Sequence, residues 1–492
     1  MGPSAATYHF SLTAVLPELW LFAAALVALL FCVARERVRR VACPTVSILG
    51  LLIAAGLIAG PQLGPSVSFA GMFRIDRFAL FFKMLFLIAG FLTVLVSAHF
   101  LKEKAKDRGE LYFLILSAVT GMMFVASSGN FVLLFLGLEI TSLSTYVMIG
   151  MLKHDPVCGE AALKYILLSI FSSALFLYGV TFIYGLSGSL DFGTISAKMK
   201  DLSPAARPVL YLSFVLIVAG LGFKMAAAPF HMYVPDVYQG APTAVTAFLS
   251  VGPKAAAFAA LLRIFMTALL PLSDVWTQMI AVLAIVSMFL GNTIALWQRN
   301  VKRMLAYSSI AHAGYALIGV AAVQTGADPG PSGPAGSVLF YLFAYTLMNL
   351  AAFSVLMVTM RAGNFGETLE DISGLGQRRP VAAFTMLIFL LSLAGIPPTV
   401  GFFAKFYVFA AAIQAQFYWL AILGVVNSVI GIYYYIRVIV YMYARAPEGE
   451  VTESVSLPLN IALVAACAAV IVFGVFPNPI IRAAIASAKA LF

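Results

Sequence analysis

Apolar runs of about twenty residues recur from one end of the chain to the other, parted by short polar stretches. A hydrocarbon core about 30 Å thick needs about 20 such residues to be crossed as a helix. On that measure the pattern predicts fourteen spans, near 15–34, 45–60, 78–98, 111–128, 130–151, 163–185, 208–230, 243–268, 275–297, 303–323, 336–360, 381–415, 418–443 and 457–476. The seventh breaks at Pro229 and Pro235, and the twelfth is expected to be interrupted at Pro397-Pro398, since proline cannot continue a helical ladder. The fold class that follows is an all-α polytopic membrane protein of about 14 transmembrane helices.

Composition excludes the soluble alternatives. Of 492 residues, 62% are hydrophobic and 10% charged, against roughly 45–50% and about 25% in soluble domains. No GxGxxG, GxxxxGK[ST] or HExxH is present, so no nucleotide-binding fold or zincin site is expected. The four cysteines, Cys32, Cys43, Cys158 and Cys467, form no CxxC, which argues against a disulfide framework or an iron–sulfur cluster. The net charge of +10 sits in short loops and reads as a topology signal rather than a nucleic-acid footprint. Arg35, Arg37, Arg39 and Arg40, then Lys102, Lys104, Lys106 and Arg108, then Arg299, Lys302 and Arg303, then Arg378 and Arg379 fill alternate loops. Those loops are expected on the cytoplasmic side, with both termini on the other. The opposite loops hold only Arg74, Arg77, Lys198, Lys200 and Arg207, and segment 323–336 holds no Lys or Arg. The first apolar run lacks a preceding cationic region and a small-residue cleavage site, so it reads as a first span rather than a removed signal peptide.

One internal similarity organises the chain. Lys224 stands beside the break in span 7, and Lys405 follows the break in span 12, five spans later. An odd number of spans inverts the second unit, so spans 4–8 and 9–13 are expected to form an inverted repeat whose broken helices mark an ion path. The division expected is a three-helix segment over 1–110, repeats over 111–268 and 269–443, and a last helix in 444–492.

A few ionisable residues fall inside spans: Glu139, Lys224, Lys254, His312 and Lys405. Each charge costs roughly 2.5–3.5 kcal/mol at the bilayer centre on insertion scales, and such residues usually mark a substrate, ion or proton path. Burial in general disfavours an ammonium, and a nearby carboxylate favours it again. A movable Glu/Lys pair therefore acts as an adjustable proton trap. His231 lies seven residues beyond Lys224, about 10 Å along a helix, so a proton passing between them needs water or another side chain. The competing structural readings are static ion pairs for Glu139 and the lysines, and hydrogen-bonded packing for the two histidines. Lys164, a secondary candidate, sits near a span end where it can snorkel. Lys83 and Arg263 read as anchors near span ends, and Asp76 and Asp236 as caps or surface pairs.

At "PFHMYVPDVYQGAPTAVTAFLSVGPKAAAFAALLR" (229–263) the chain closely resembles the subunit N family of proton-pumping NADH–quinone oxidoreductase, respiratory complex I. The resemblance continues in order through "FRIDRFALFFK" (73–83), "LLFLGLEITSLSTYV" (133–147), "NVKRMLAYSSIAHAGY" (300–315) and "LAGIPPTVGFFAKF" (393–406). Subunits L and M and the multi-chain Na+/H+ antiporters belong to the same wider group. The span-8 "GPKAAAFAALLR", a lysine rather than a glutamate in span 12, and the lack of a long lateral helix after span 14 favour N. The resemblance implies 14 helices, two inverted five-helix repeats and discontinuous helices 7 and 12. It implies a Glu139/Lys224 pair, His231 as a link, Lys254 and His312 on a central hydrophilic axis, and Lys405 serving the opposite half-channel. It further implies an H+-translocating NADH:quinone oxidoreductase of the translocase class with no redox centre in this chain. NADH, FMN, iron–sulfur clusters and quinone would belong to partner subunits of the hetero-oligomer. Subunits M and K would be neighbours, in a bacterial cytoplasmic (inner) membrane. The rival reading is a subunit of a multi-chain Na+/H+ antiporter.

Overall fold

Inside a bilayer every backbone N–H and C=O must be paired within the protein, which leaves helices as the natural form for long apolar runs. The computed structural model of the chain, described here over residues 12–60, 63–103, 108–323, 333–359, 366–447 and 455–492, follows that rule. The lysine-rich segment after the third span (104–107), most of the 323–336 loop and residues 1–11 lie outside the described residues.

The chain opens with helices α1 (Leu16–Phe31), α2 (Glu36–Ala59) and α3 (Arg77–Glu103). A two-stranded hairpin, Ser66–Ser68 with Phe73–Ile75, joins the last two. Next come α4 (Glu110–Ala126), α5 (Phe131–Ile149), α6 (Pro156–Ser187), the short α7 (Phe192–Met199) and α8 (Arg207–Met225). Then follow α9 (Val234–Gly240), α10 (Thr243–Leu249) and α11 (Gly252–Arg263). The second half holds α12 (Ser273–Ala295), α13 (Val301–Ala321), α14 (Pro334–Val355), α15 (Leu375–Arg378), α16 (Pro380–Ala394), α17 (Val400–Gln414) and α18 (Tyr418–Ala444). Helices α19 (Leu457–Val475) and α20 (Asn478–Ala488) close the described chain. Among the described residues twelve helical stretches are long and apolar enough to cross a membrane. Helices α4, α16 and α17 are apolar but shorter. A count of fourteen crossings requires taking α4 as one of them and α16 with α17 as a single interrupted one.

Local sequence explains the starts and stops. The side chains of Asn130, Asp155 and Asn300 accept from backbone N–H groups of the first turns of α5, α6 and α13, pairing donors a helix start leaves open. Helix α2 begins at Glu36, earlier than the hydropathy pattern placed it. Arg37, Arg39 and Arg40 are thus helical, and Arg40 pairs with Glu36 one turn away. Helix α6 likewise starts at Pro156 rather than near 163, because Asp155 caps it.

The breaks expected in spans 7 and 12 are present, but Pro235 adds no second break to span 7: it sits in the first turn of α9, where proline is tolerated. Helix α8 stops after Met225, where Ala226 takes a left-handed conformation (φ 61°), and helix resumes only at Val234. Helix α16 stops after Ala394, with Gly395 at φ 85°, and α17 starts at Val400. A third break was not expected: the eighth span divides at Ser250–Val251, so Lys254 lies in the first turn of a new helix.

The packing order places the unusual residues. In α13 and α14 every residue of the apolar window is buried inside the protein, whereas in α2 and α6 only about a third is, at 33%. The middle of the molecule is therefore made of α10, α11, α13 and α14, and their polar side chains face protein rather than lipid.

Candidate functional site

The first cluster forms where α5, α6 and α8 meet. Lys224, in the last turn of α8, donates from Nζ to Ser142 Oγ on α5 at 2.6 Å and to Ser169 Oγ on α6 at 2.7 Å. Glu139, one turn before Ser142 on α5, accepts from Ser173 Oγ at 2.6 Å. Among the described residues no ion pair joins Glu139 to Lys224. The direct Glu139/Lys224 pair is thus replaced by two hydroxyl-held charges, because Ser169 and Ser173 lie on one face of α6 and each takes one partner. Ser172, on the same turn, donates to the Gly220 carbonyl at 2.8 Å and ties α6 to α8.

Beyond Lys224 lies a cavity of about 10 Å³ lined by Lys224, Tyr165, Tyr233, Tyr238 and Pro253, room for about one water. Pro253 is the residue before Lys254. Lys254, 1% exposed, donates to the Ser309 carbonyl at 2.6 Å and also to the Ser309 hydroxyl. Its Nζ lies 5.4 Å from the centre of the Tyr345 ring, and the other neighbour of that ring is His312, at 5.1 Å between centroids.

His312 stands between the two inner lysines. Its Nδ1 bonds Tyr341 Oη at 2.6 Å and its Nε2 bonds Tyr435 Oη at 3.2 Å. Tyr435 in turn bonds Ser308. Tyr315 stacks edge-on to His312 at 5.7 Å, and Lys405 Nζ lies 5.0 Å from the Tyr315 ring. Lys405 donates to Ser428 Oγ at 2.8 Å and reaches back over the break to the Ala394 carbonyl at 2.9 Å. A cation suits that spot, where the end of α16 exposes unpaired carbonyls. Tyr315, Asn292 and Tyr434 continue as a bonded row through Nδ2 to Tyr315 at 3.1 Å and Oδ1 from Tyr434 at 3.0 Å.

Hydroxyls and imidazoles both donate and accept, so this series can pass protons where a run of apolar side chains cannot. The structure brings Lys254, His312 and Lys405 together in the centre, and Glu139 and Lys224 into one cluster beside them. It does not bring His231 in. That residue lies in the connection between α8 and α9, half-buried beside the exposed Met232, and its Nδ1 has no partner among the described residues. The serines and tyrosines were not picked out by sequence reasoning. The available signal was the recurrence of Ser169 and Ser173 four residues apart, and of tyrosines inside apolar spans, where a buried hydroxyl needs a partner.

Other charges are held in ion pairs. Lys83 is not an anchor at the surface: it is fully buried against Glu18 of α1 at 2.6 Å, a carboxylate the hydropathy reading overlooked. Arg263 is likewise no anchor at a span end: it is buried and pairs with Asp76, which caps α3 through the Ala79 N–H. Lys302 is not a solvated loop charge. It pairs with Glu367 at 2.7 Å and donates to the carbonyls of Gln239 and Ala241, closing the end of α9. Lys164 reaches Asp236 and Glu160, each at 2.8 Å, and Arg303 holds the other oxygen of Asp236 at 2.8 Å.

The family model described as NADH:quinone oxidoreductase/Mrp antiporter, TM matches residues 128–431, which hold Glu139 and the lysines of α8, α11 and α17. A relative from Trichlorobacter lovleyi named NADH-quinone oxidoreductase subunit N is 44% identical over 89% of this chain and 88% of its own. One from Acidithiobacillus ferrooxidans with the same name is 39% identical over 95% and 96%. Among solved structures, a chain of respiratory complex I from Thermus thermophilus is 32% identical with a TM-score of 0.78, covering 96% of this chain and 99% of that one. A chain of the Mrp complex from Dietzia sp. superposes with a TM-score of 0.84 over 98% of both, at 20% identity, a likeness of fold alone. With matches of this extent from two directions, the chain belongs to the NADH-quinone oxidoreductase subunit N family.

Proposed function

We propose that this chain moves protons across the membrane as an arm subunit of a NADH–quinone oxidoreductase, within a multi-subunit membrane assembly. The observation that carries the reading is the line of ammonium, imidazole and hydroxyl groups through the protein centre, from Lys224 by way of Lys254 and His312 to Lys405. Lys224 takes a proton while Glu139 is near. Movement of Glu139 relative to Lys224 sets when the proton leaves. A water in the small cavity beside Pro253 passes it to Lys254, and His312 with its tyrosines carries it to Lys405 for release. His231 and Lys164 stand off this line. Lys164, with Asp236, fits the rim of the entry, and His231 would act only after a rearrangement of the α8–α9 connection.

In this reading the activity is of the translocase class and no redox step occurs in this chain. NADH, flavin, iron–sulfur clusters and quinone belong to partner chains, whose quinone reduction shifts the Glu139/Lys224 balance. Subunits M and K are the expected neighbours, and the membrane is the bacterial inner membrane with both termini outside the cytoplasm. Residues 111–268 and 269–443 act as two inverted five-helix units. The paired breaks at Ala226 and Gly395, each with a buried lysine beside it, support that division. The sodium antiporter reading is less favoured, because the relatives at 39% and 44% identity are both named subunit N and the Mrp likeness is one of fold. Replacing Lys224 with Ala in the assembled complex should depress proton pumping and the NADH oxidation coupled to it. Unchanged pumping with normal assembly would remove Lys224 from the mechanism.

A further inference from the structure

Away from the cation axis, two apolar cavities of about 240 and 510 Å³ open between α2 and α3 and the C-terminal helices. They share Met84 and Ile88, so they form one groove. Its deep end reaches Leu92 of α3, Leu347 of α14 and Ala465 of α19. Its wide end is framed by Ala59, Ala483 of α20 and Arg77. Arg77 to Leu92 is fifteen residues of helix, about 22 Å, somewhat more than one leaflet of a hydrocarbon core about 30 Å thick. The groove thus has the length and lining for an acyl chain that enters from one membrane face.

The charge at its mouth selects the head. Arg77 is exposed and makes no ion pair among the described residues. Its neighbour Asp76 is committed to Arg263, and Glu18 to Lys83. Helix α20, one wall of the mouth, carries Arg482 on its exposed side, with Lys489 just beyond, and from Leu457 to Phe492 the chain has no acidic residue. We infer that this groove is a binding site for an anionic phospholipid, with an acyl chain along α3 and the phosphate on Arg77. A bound chain would back α14, the helix that presents Tyr341 and Tyr345 to His312.

The test uses the whole purified complex, delipidated in detergent and offered phosphatidylglycerol or phosphatidylcholine, with retained lipid measured by mass spectrometry. The parent should retain the anionic lipid about fivefold over the zwitterionic one, the order expected for one basic contact at a membrane surface. Arg77→Gln should remove the preference while leaving an acyl chain bound. Ala465→Trp, which fills the groove from an exposed position, should lose both lipids with assembly intact. Equal retention of the two lipids by the parent, or retention indifferent to Ala465→Trp, would overturn the site. So would failure of Ala483→Cys in the intact complex to react with a membrane-soluble maleimide, since a neighbouring subunit would then cover the groove.

Discussion

Ser169 and Ser173 stand one turn apart on α6 and hold opposite charges: Ser169 accepts from the Lys224 ammonium, and Ser173 donates to the Glu139 carboxylate. The pair is thereby kept apart by hydroxyls rather than closed into an ion pair. Hydrogen bonds to charged groups contribute about 1.5–3 kcal/mol. Ser173→Ala should free Glu139 to close on Lys224, and the ammonium should then keep its proton. Pumping by the reconstituted complex should fall by roughly tenfold, while Ser173→Thr, which keeps the hydroxyl, should pump normally. Full pumping in Ser173→Ala would show that the separation has no role.

His312 uses both ring nitrogens, on Tyr341 and Tyr435. Tyr341→Phe and Tyr435→Phe each leave one nitrogen unpaired in a buried place, at about 1–3 kcal/mol. Each should slow pumping several-fold with NADH–quinone electron transfer lowered in step. Because the two hydroxyls serve one ring, the double variant should fall short of the sum. Strict additivity in a double-mutant cycle would separate the tyrosines from His312.

Gly395 sits at φ 85°, and a Cβ there would lie 2.9 Å from Lys405 Cδ. Gly395→Ala therefore meets backbone strain of about 1–2 kcal/mol and a displaced lysine together. Pumping should drop while the complex still assembles, as seen by native gel and by protons moved per NADH. Retained pumping would mean that Lys405 does not need its bond to the Ala394 carbonyl.

Lys302 and Glu367 form a buried pair within the second half of the chain, and Lys302 also donates to carbonyls of the first. Removing one partner of such a pair typically costs about 3–5 kcal/mol, because a bare charge stays behind. Glu367→Ala should lower the amount of assembled complex and its thermal midpoint. Lys302→Met combined with Glu367→Leu should recover a large part of both.

Asp236, on the short α9 outside the candidate spans, answers to pH. Partial burial pushes its carboxyl up, but hydrogen bonds from Lys164 and Arg303 outweigh that and hold it below the usual range. A lowered folded-state value means stability that is present above the unfolded value, near 3.9, and lost as pH falls through the folded one. Asp236→Asn should cost at most about 1 kcal/mol at neutral pH, since the group is partly exposed. The difference from the parent, followed by thermal unfolding, should begin to shrink below about pH 4 and vanish only once pH has fallen under the lower folded-state value.

Much of this was legible in the sequence, and for physical reasons. A lysine such as Lys224 or Lys254 in an apolar run has no cheap place except a protein interior, so its depth could be read directly. Proline at 229 and at 397–398 forces breaks, and both breaks are where the pattern put them. Which charges pair off with a distant partner and which stand on the central line was not legible. Lys83 and Lys302 looked like surface cations because their partners, Glu18 and Glu367, are 65 residues away along the chain and hydropathy carries no information on pairing. The hydroxyls around the lysines were missed for a similar reason. A serine costs little in a helix wherever it points, so Ser142, Ser169, Ser309 and Ser428 show their role only once the helices pack.

The central claim is that protons cross this chain through its middle lysine. The most direct measurement is the number of protons moved per NADH oxidised by the reconstituted complex carrying Lys254→Met, with assembly and quinone reduction followed alongside. The ratio should fall in the assembled variant. An unchanged ratio with full turnover would contradict the account.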